Sequence, residues 1–137
     1  MRWSLPALLR RRLRQMSGII EDELDAFLGA IEEDPNNLPR LDKPCGIDRH
    51  GNIVSQLQAD LRLRHYRLCS DHDPLLIYQR FDEENIAFLV GVARHNDIFG
   101  GNENRWCHQN QNAINWRENE HHLNALNQIF GPLPDGN

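Results

Sequence analysis

The sequence predicts an α+β fold from three observations. A helical apolar stripe runs through the first part of the chain, three strand-like runs fill the middle, and a second helical stripe lies near the C-terminus. The 137 residues suffice for a single domain with a genuine core. We therefore expect one domain over 1–137, with a helical segment at 1–34, an antiparallel sheet at 53–99, and a loop and helix at 103–131.

The N-terminal segment is predicted to be helical from residue 5 to residue 33. Its apolar residues recur at spacings of three and four, as in an amphipathic helix. The stripe consists of Leu8, Leu9, Leu13, Met16, Ile20, Leu24, Phe27, Leu28 and Ile31. Gly18 marks a point where two helices are an alternative to one. Pro35 and Pro39 end the helical pattern, because proline cannot continue a helix.

The middle of the chain predicts an antiparallel meander. Residues 60–69, 75–81 and 86–95 are rich in aliphatic, aromatic and β-branched residues and are separated by turn or acidic loop sequences. Before them, residues 53–57 suit either a short strand or a helical turn. After them, "NDIFGGNENRWCHQNQN" is predicted to be loop.

A C-terminal helix is expected next. The residues that indicate its apolar face are Trp116, Leu123, Leu126, Ile129 and Phe130. Gly131 and Pro132 end the helical pattern.

The charge distribution is uneven. The net charge is -5, yet five of the 15 basic residues fall in the first 14 positions, where there is no acid. The rest of the chain therefore carries 10 basic and 20 acidic residues. This balance counts against a general nucleic-acid-binding surface. Three cysteines without a C-x-x-C spacing favour reduced thiols and a cytoplasmic location. The arginines of "LLRRRLRQM" interrupt any signal-peptide core, and no apolar stretch is long enough to span a membrane.

The end of the last predicted strand suggests a chemical site. Strand alternation places Ala87, Leu89, Gly91 and Ala93 on one face with His95, where small side chains leave room for a ligand. By the same periodicity, Tyr78 and Arg80 of the preceding strand are expected on this face. The candidate residues are His65 or Tyr66, Arg64 or Arg67, Tyr78, Arg80, Arg94 and His95.

These residue types suit cleavage of RNA without a metal ion. The reaction needs a base for the 2′-hydroxyl proton, an acid for the leaving 5′ oxygen, and cations for the phosphorane charge. Histidines fill the first two roles near neutral pH, and the arginine fork matches phosphate oxygens. We assign His95 as acid or base, His65 as its complement, and Arg80 and Arg94 to phosphate. Arg64, Arg67 and Tyr78 are expected to bind substrate.

Simpler interpretations stand beside this one. A lone histidine at the end of a strand, such as His95, is more often a polar exit than a catalyst, and Arg80 is also interpretable as the ion-pair partner of Glu83 or Glu84. The densest metal-ligand candidates are Cys107-His108 and His121-His122, but neither has the spacing of a known metal motif. We therefore predict no metal and no cofactor.

The order of these motifs resembles a known family. "LRLRHYRL", "DPLLIYQRF", an acidic loop and "IAFLVGVARHNDIF" are similar to YafO-type toxins of bacterial toxin–antitoxin systems, which are grouped with the RelE-like mRNA interferases. His65, Ile77-Tyr78 and His95 stand at the matching positions. The resemblance implies a RelE-like endoribonuclease of mRNA, active with or without the ribosome, and a cognate antitoxin. The alternative is a non-catalytic, antitoxin-like or immunity-like interaction protein.

The N-terminal arginines leave two roles open. Arg10, Arg11, Arg12 and Arg14 form a dense positive patch. Such a patch suits contact with RNA or docking of an acidic antitoxin, and both interactions weaken as salt rises. The simpler alternative is a solvated face of the helix without a partner.

Overall fold

A five-stranded mixed sheet with helices on both faces forms the core of the computed structural model, which describes residues 1–16, 18–69, 74–99 and 103–110. The elements in chain order are β1 (Arg2–Ser4), α1 (Ala7–Met16), α2 (Gly18–Glu33), β2 (Asp42–Pro44), α3 (Gln56–Asp60), β3 (Leu63–Arg67), β4 (Leu75–Phe81), β5 (Ile86–Ala93), α4 (His95–Phe99) and α5 (Glu103–Gln109). The expected C-terminal helix at 116–130 lies outside the described residues.

The sheet has the strand order β1-β5-β4-β3-β2. The predicted meander is confirmed, since β3, β4 and β5 pair antiparallel, and the α+β class is confirmed with it. The sheet is larger than the expected 53–99, because β2 pairs antiparallel with β3 and β1 pairs parallel with β5. Both additions are three residues long. Strands that short show no periodicity and are defined only by the partners they pair with.

Of the two alternatives for residues 5–33, one helix or two, the structure has two helices. They meet at the predicted point, with α2 beginning at Gly18. Leu13 of α1 and Leu24, Phe27 and Ile31 of α2 are fully buried against the sheet. Residues 53–57 were expected to form a short strand or a helical turn, and the helix α3 begins within them at Gln56. The hydroxyl of Ser55 caps α3 by accepting a hydrogen bond from the backbone N–H of Gln58.

Both faces of the sheet are covered. The α1–α2 face is defined by buried residues that pack beneath α1 and α2: Tyr66, Leu68, Leu76, Tyr78, Ala87 and Leu89. The α3–α5 face is defined by buried residues that pack beneath α3, α4 and α5: Leu63, Leu75, Ile77, Val90 and Ala93. Double coverage explains why β4 and β5 read as continuous apolar runs rather than as alternating ones.

A β-bulge interrupts the pairing of β4 with β5. Ile77 lies opposite Gly91, but the next residue, Tyr78, lies opposite Leu89. Val90 is therefore an extra residue on β5, and the alternation of side chains reverses beyond it.

Because of the bulge, the prediction of one face formed by small residues is wrong. Ala87 and Leu89 are fully buried on the α1–α2 face. Ala93 belongs to the α3–α5 face, and a Cβ added to Gly91 would lie 3.5 Å from the ring of Trp106, which belongs to that face as well. These residues do not share one face. Helices pack over both groups.

In the described residues after β5, two short helices form where a loop was predicted. His95 is the first residue of α4, not the last residue of a strand, and α5 follows at Glu103–Gln109. Burial of Ile98, Trp106 and Cys107 on the α3–α5 face stabilises both short helices despite the Asn-rich sequence around them. Within the described ranges, no helix combines the length and apolar character needed to cross a membrane.

Candidate active site

His65 lies in the middle of β3, opposite Lys43 of β2 and Ile77 of β4. Because side chains alternate along a strand, it shares the α3–α5 face with Leu63 and Ile77. Its side chain is buried. Of the two alternatives that the sequence left open, His65 and Tyr66, His65 is therefore the one that lies on this face.

Its surroundings keep the His65 imidazole neutral. Burial lowers the pKa of His65 to about 4, because the imidazolium form loses its hydration; the nearby charge of Asp42 opposes this, while those of Lys43, Arg64 and His95 lower the pKa further. Helix α4, which begins at His95, packs on the same face of the sheet through Ile98.

His95 and Arg94 are held at the start of α4. The backbone N–H of Arg94 donates to Oδ2 of Asp97, and the backbone N–H of Asp97 donates to the carbonyl oxygen of Arg94, both at 2.9 Å. These two bonds fix the backbone where β5 gives way to the helix. The side chains of Arg94 and His95 are both exposed.

Arg67 is the second cation of β3 on the same side. It lies opposite Leu75 and two residues from His65, so alternation places it on the α3–α5 face. Its side chain is half-buried. We call His65, Arg67, Arg94 and His95 the histidine site: His65 and Arg67 lie on the α3–α5 face, and Arg94 and His95 stand where β5 ends and α4 begins.

Arg64 and Tyr78 belong to a different cluster, on the α1–α2 face. Oδ2 of Asp42 accepts two hydrogen bonds from Arg64, at 3.0 Å from Nε and 2.8 Å from Nη2, and Oδ1 accepts one from the Tyr78 hydroxyl at 2.8 Å. The Asp42 side chain is only 11% exposed. The cluster joins β2, β3 and β4 across the sheet. Our prediction that Tyr78 shares a face with His95 is wrong, because Tyr78 packs edge-on against Phe27 of α2.

Tyr78 is a structural donor in this cluster. Burial raises the pKa of its hydroxyl well above the usual range, and the neighbouring Asp42 carboxylate raises it further. The phenol therefore keeps its proton and holds the Asp42 carboxylate in place.

Arg80 is likewise held on the α1–α2 side, so its predicted place beside His95 is also wrong. Its guanidinium donates to Oδ1 of Asp82 at 2.6 Å, to the Pro35 carbonyl oxygen at 3.1 Å and to Oδ1 of Asn36 at 2.8 Å. The simpler expectation of an ion pair with the acidic loop holds, but the partner is Asp82 rather than Glu83 or Glu84. These contacts attach the end of β4 to the segment that follows α2.

Arg62, Arg64 and Arg80 together line a cleft of about 480 Å³ near the β2 edge of the sheet. Each guanidinium is already bound to a carboxylate, and Arg62 pairs with Glu83 at 2.8 Å. An anion entering the cleft would compete with these internal carboxylates for the guanidinium groups.

Sequence reasoning missed Asp42 and Arg62. Asp42 stands in "RLDKPCG", where no pattern marks a strand. Arg62 adopts a left-handed backbone, with φ of 55°, between α3 and β3. Alternation within "LRLRHYRL" places Arg62 on the same strand face as Arg64, and this pattern could have identified Arg62 as a candidate.

The candidate metal ligands do not converge in the described part of the chain. Cys107 is buried whereas its neighbour His108 is exposed, so the two side chains point in different directions. Among the described residues, no three His, Cys, Asp or Glu side chains are grouped as metal ligands would be. His121 and His122 lie outside these residues.

No protein-family model matches the chain, and no curated protein or solved structure matches it either.

Proposed function

We propose that this chain is the toxin of a bacterial toxin–antitoxin pair, a cytoplasmic RelE-like endoribonuclease that cleaves mRNA, alone or on the ribosome. The observation that supports the proposal is that His65 lies on the α3–α5 face of the sheet and that α4, which begins at His95, packs on the same face. A pair of histidines supplies the base and the acid that metal-free RNA cleavage requires. The motif order that resembles YafO-type toxins agrees with this assignment.

In the proposed reaction, neutral His65 takes the proton of the ribose 2′-hydroxyl. The 2′ oxygen attacks phosphorus, a 2′,3′-cyclic phosphate forms, the bond from phosphorus to the 5′ oxygen breaks, and protonated His95 gives its proton to that oxygen. A phosphate anion beside His65 raises the pKa of the imidazole from its value in the unliganded protein, because it stabilises the protonated form.

The arginines divide between two roles. Arg67 and Arg94 contact the phosphate in this proposal, because they belong to the histidine site. Arg64 and Arg80 serve the architecture, since their guanidinium groups are bound to Asp42 and Asp82. The catalytic role predicted for Arg80 passes to the two arginines of the histidine site.

The test is growth inhibition on induction of the chain in a bacterial host. The wild type is expected to arrest growth, and His95→Gln is expected to abolish the arrest while keeping the circular dichroism spectrum of the wild type. His50→Gln is the control, because His50 is an exposed histidine in the loop before α3. Arrest by a folded His95→Gln protein would remove His95 from the mechanism.

A non-catalytic interaction protein is the second candidate. The observation that favours it is the set of carboxylates bound to Arg62, Arg64 and Arg80, which leaves these cations engaged within the protein. Under this alternative the His65 and His95 variants bind partners as the wild type does, and purified protein leaves RNA intact.

A further inference from the structure

The outward side of α1 combines exposed apolar and positively charged side chains. Leu8 is 67% exposed and Met16 is 48% exposed, although both are large and apolar. Arg11, Arg12 and Gln15 lie between them and are also exposed. These five residues recur at spacings of three and four, so they form one continuous arc of the helix, which we call the α1 outer face.

The four arginines of α1 are not equivalent. Arg10 pairs with Asp25 at 3.5 Å and Arg14 pairs with Glu21 at 2.7 Å, so both help to hold α1 against α2. Within the described part of the chain, Arg11 and Arg12 make no ion pair. Of the four positive charges of α1, the two that are not used in ion pairs within the protein therefore lie on the α1 outer face.

The position of α1 separates this surface from the histidine site. The helix packs through Leu9 and Leu13 on the α1–α2 face of the sheet, whereas His65 lies on the opposite face. RNA bound for cleavage at the histidine site therefore lies on the other side of the sheet. Exposed Leu8 and Met16 also favour a protein partner, because a nucleic-acid backbone offers little apolar surface to cover them.

We propose that the α1 outer face docks an acidic amphipathic helix from a partner protein. Leu8 and Met16 lie eight residues apart on the helix, a separation of roughly 12 Å. Apolar residues of the partner helix, spaced over about two turns, cover these two side chains. Carboxylates between them bind Arg11 and Arg12, whose forked guanidinium groups match carboxylate geometry. This proposal does not depend on RNA cleavage.

The experiment selects binders from a displayed library of random peptides of about 16 residues, long enough for four turns of helix. The bait is the full chain, and the double variant Leu8→Ser/Arg12→Glu is selected in parallel. The control is Val54→Ser/Arg49→Glu, which makes the same chemical change on the loop before α3. It is well matched, because Val54 is 69% exposed and Arg49 is exposed as well.

The wild type and the control variant are expected to enrich acidic peptides with apolar residues at spacings of three and four. A synthetic copy of one enriched peptide should bind Leu8→Ser/Arg12→Glu at least roughly tenfold more weakly by calorimetry. Its affinity for the wild type should fall as salt rises from about 50 to about 300 mM.

Three results would overturn the proposal. The first is selection of no acidic peptide, or equal loss of affinity in both double variants. The second is a wild-type dimer in sedimentation that Leu8→Ser/Arg12→Glu dissociates, which would make a second copy the occupant. The third is weaker binding of a single-stranded RNA by that variant with unchanged peptide binding, which would make RNA the ligand. RNA cleavage by each variant is measured separately, so failure of the nuclease assignment is distinguished from failure of the docking surface.

Discussion

The buried hydroxyl of Tyr78 donates a 2.8 Å hydrogen bond to Oδ1 of Asp42, and this contact ties the central strand β4 to the edge strand β2. Replacing Tyr78 with Phe keeps the ring that packs against Phe27 but leaves one Asp42 oxygen without its donor. We expect the free energy of unfolding to fall by about 1–2 kcal/mol in urea denaturation, the usual cost of a lost buried hydrogen bond.

Tyr66→Phe is the matched control for that variant. Tyr66 is fully buried on the same face and also packs against Phe27, but its hydroxyl, which lies near the Arg40 backbone, makes no hydrogen bond of full geometry within the described structure. Its replacement is expected to leave the stability unchanged or to raise it slightly. Equal losses for the two variants would show that the Asp42 contact adds nothing to stability.

Two glycines with positive φ make a second matched pair. At Gly46, φ is +78°, and an added Cβ would lie 2.5 Å from the Ser55 carbonyl oxygen. At Gly51, φ is +82°, but nothing lies within 4 Å of the added carbon. We expect Gly51→Ala to cost about 1 kcal/mol of unfolding free energy and Gly46→Ala about 2–4 kcal/mol, because only the latter adds a clash to backbone strain. Similar losses in thermal or urea unfolding would contradict this account of the turn between β2 and α3.

The sequence predicted the centre of this fold well. The bounds of β4 and the start of β5 follow from uninterrupted apolar runs, and Gly18 marked the division between α1 and α2. It did not predict the bulge at Val90, because an extra residue in a run of small and aliphatic side chains leaves no mark on the pattern. That one residue is enough to reverse the faces assigned to Gly91 and Ala93.

The side chains of the candidate site were assigned to faces of the sheet from apolar content, and this assignment succeeded only in part. His65 and His95 were proposed as the reacting groups; the structure places His65 on the α3–α5 face and His95 at the start of α4, which packs on that face. Tyr78 and Arg80 were assigned to their face on the assumption that the sheet had one covered side. Helices cover both sides, so apolar content does not distinguish them, and only the pairing of β2 with β3 reveals Asp42 as the residue that engages Arg64 and Tyr78.

Burial of His65 predicts a specific pH dependence of stability. The pKa of the imidazole is lowered from 6.5 to about 4 in the folded protein, so the unfolded chain binds this proton first as the pH falls. The stability is therefore complete above pH 6.5 and is lost as the pH falls towards 4, by up to roughly 3 kcal/mol.

This dependence is measured by urea denaturation between pH 7 and about pH 4. The difference in unfolding free energy between wild type and His65→Gln is expected to shrink as the pH falls, and NMR titration should show an imidazole that stays neutral at pH 6. A stability difference that is independent of pH, together with an ordinary titration of His65, would refute the buried neutral histidine.

Chelation tests the metal independence of the proposed reaction. Cleavage of naked RNA by the purified chain is expected to continue in EDTA, because the proposed base and acid are both histidines. Ribosomes require magnesium, so the substrate has to be free RNA. Loss of cleavage in EDTA that only zinc or manganese restores would assign the chemistry to a metal site.

The most direct test of the account is cleavage of a single-stranded RNA by purified wild type, His95→Gln and His50→Gln, with analysis of the product ends. We predict 2′,3′-cyclic phosphate and 5′-hydroxyl ends from the wild type and from His50→Gln, and a rate lower by roughly 10²–10⁴-fold for His95→Gln, the usual contribution of a general acid or base. Intact RNA after incubation with a folded wild-type chain, or equal rates for wild type and His95→Gln, would contradict the proposal that the histidine site cleaves RNA.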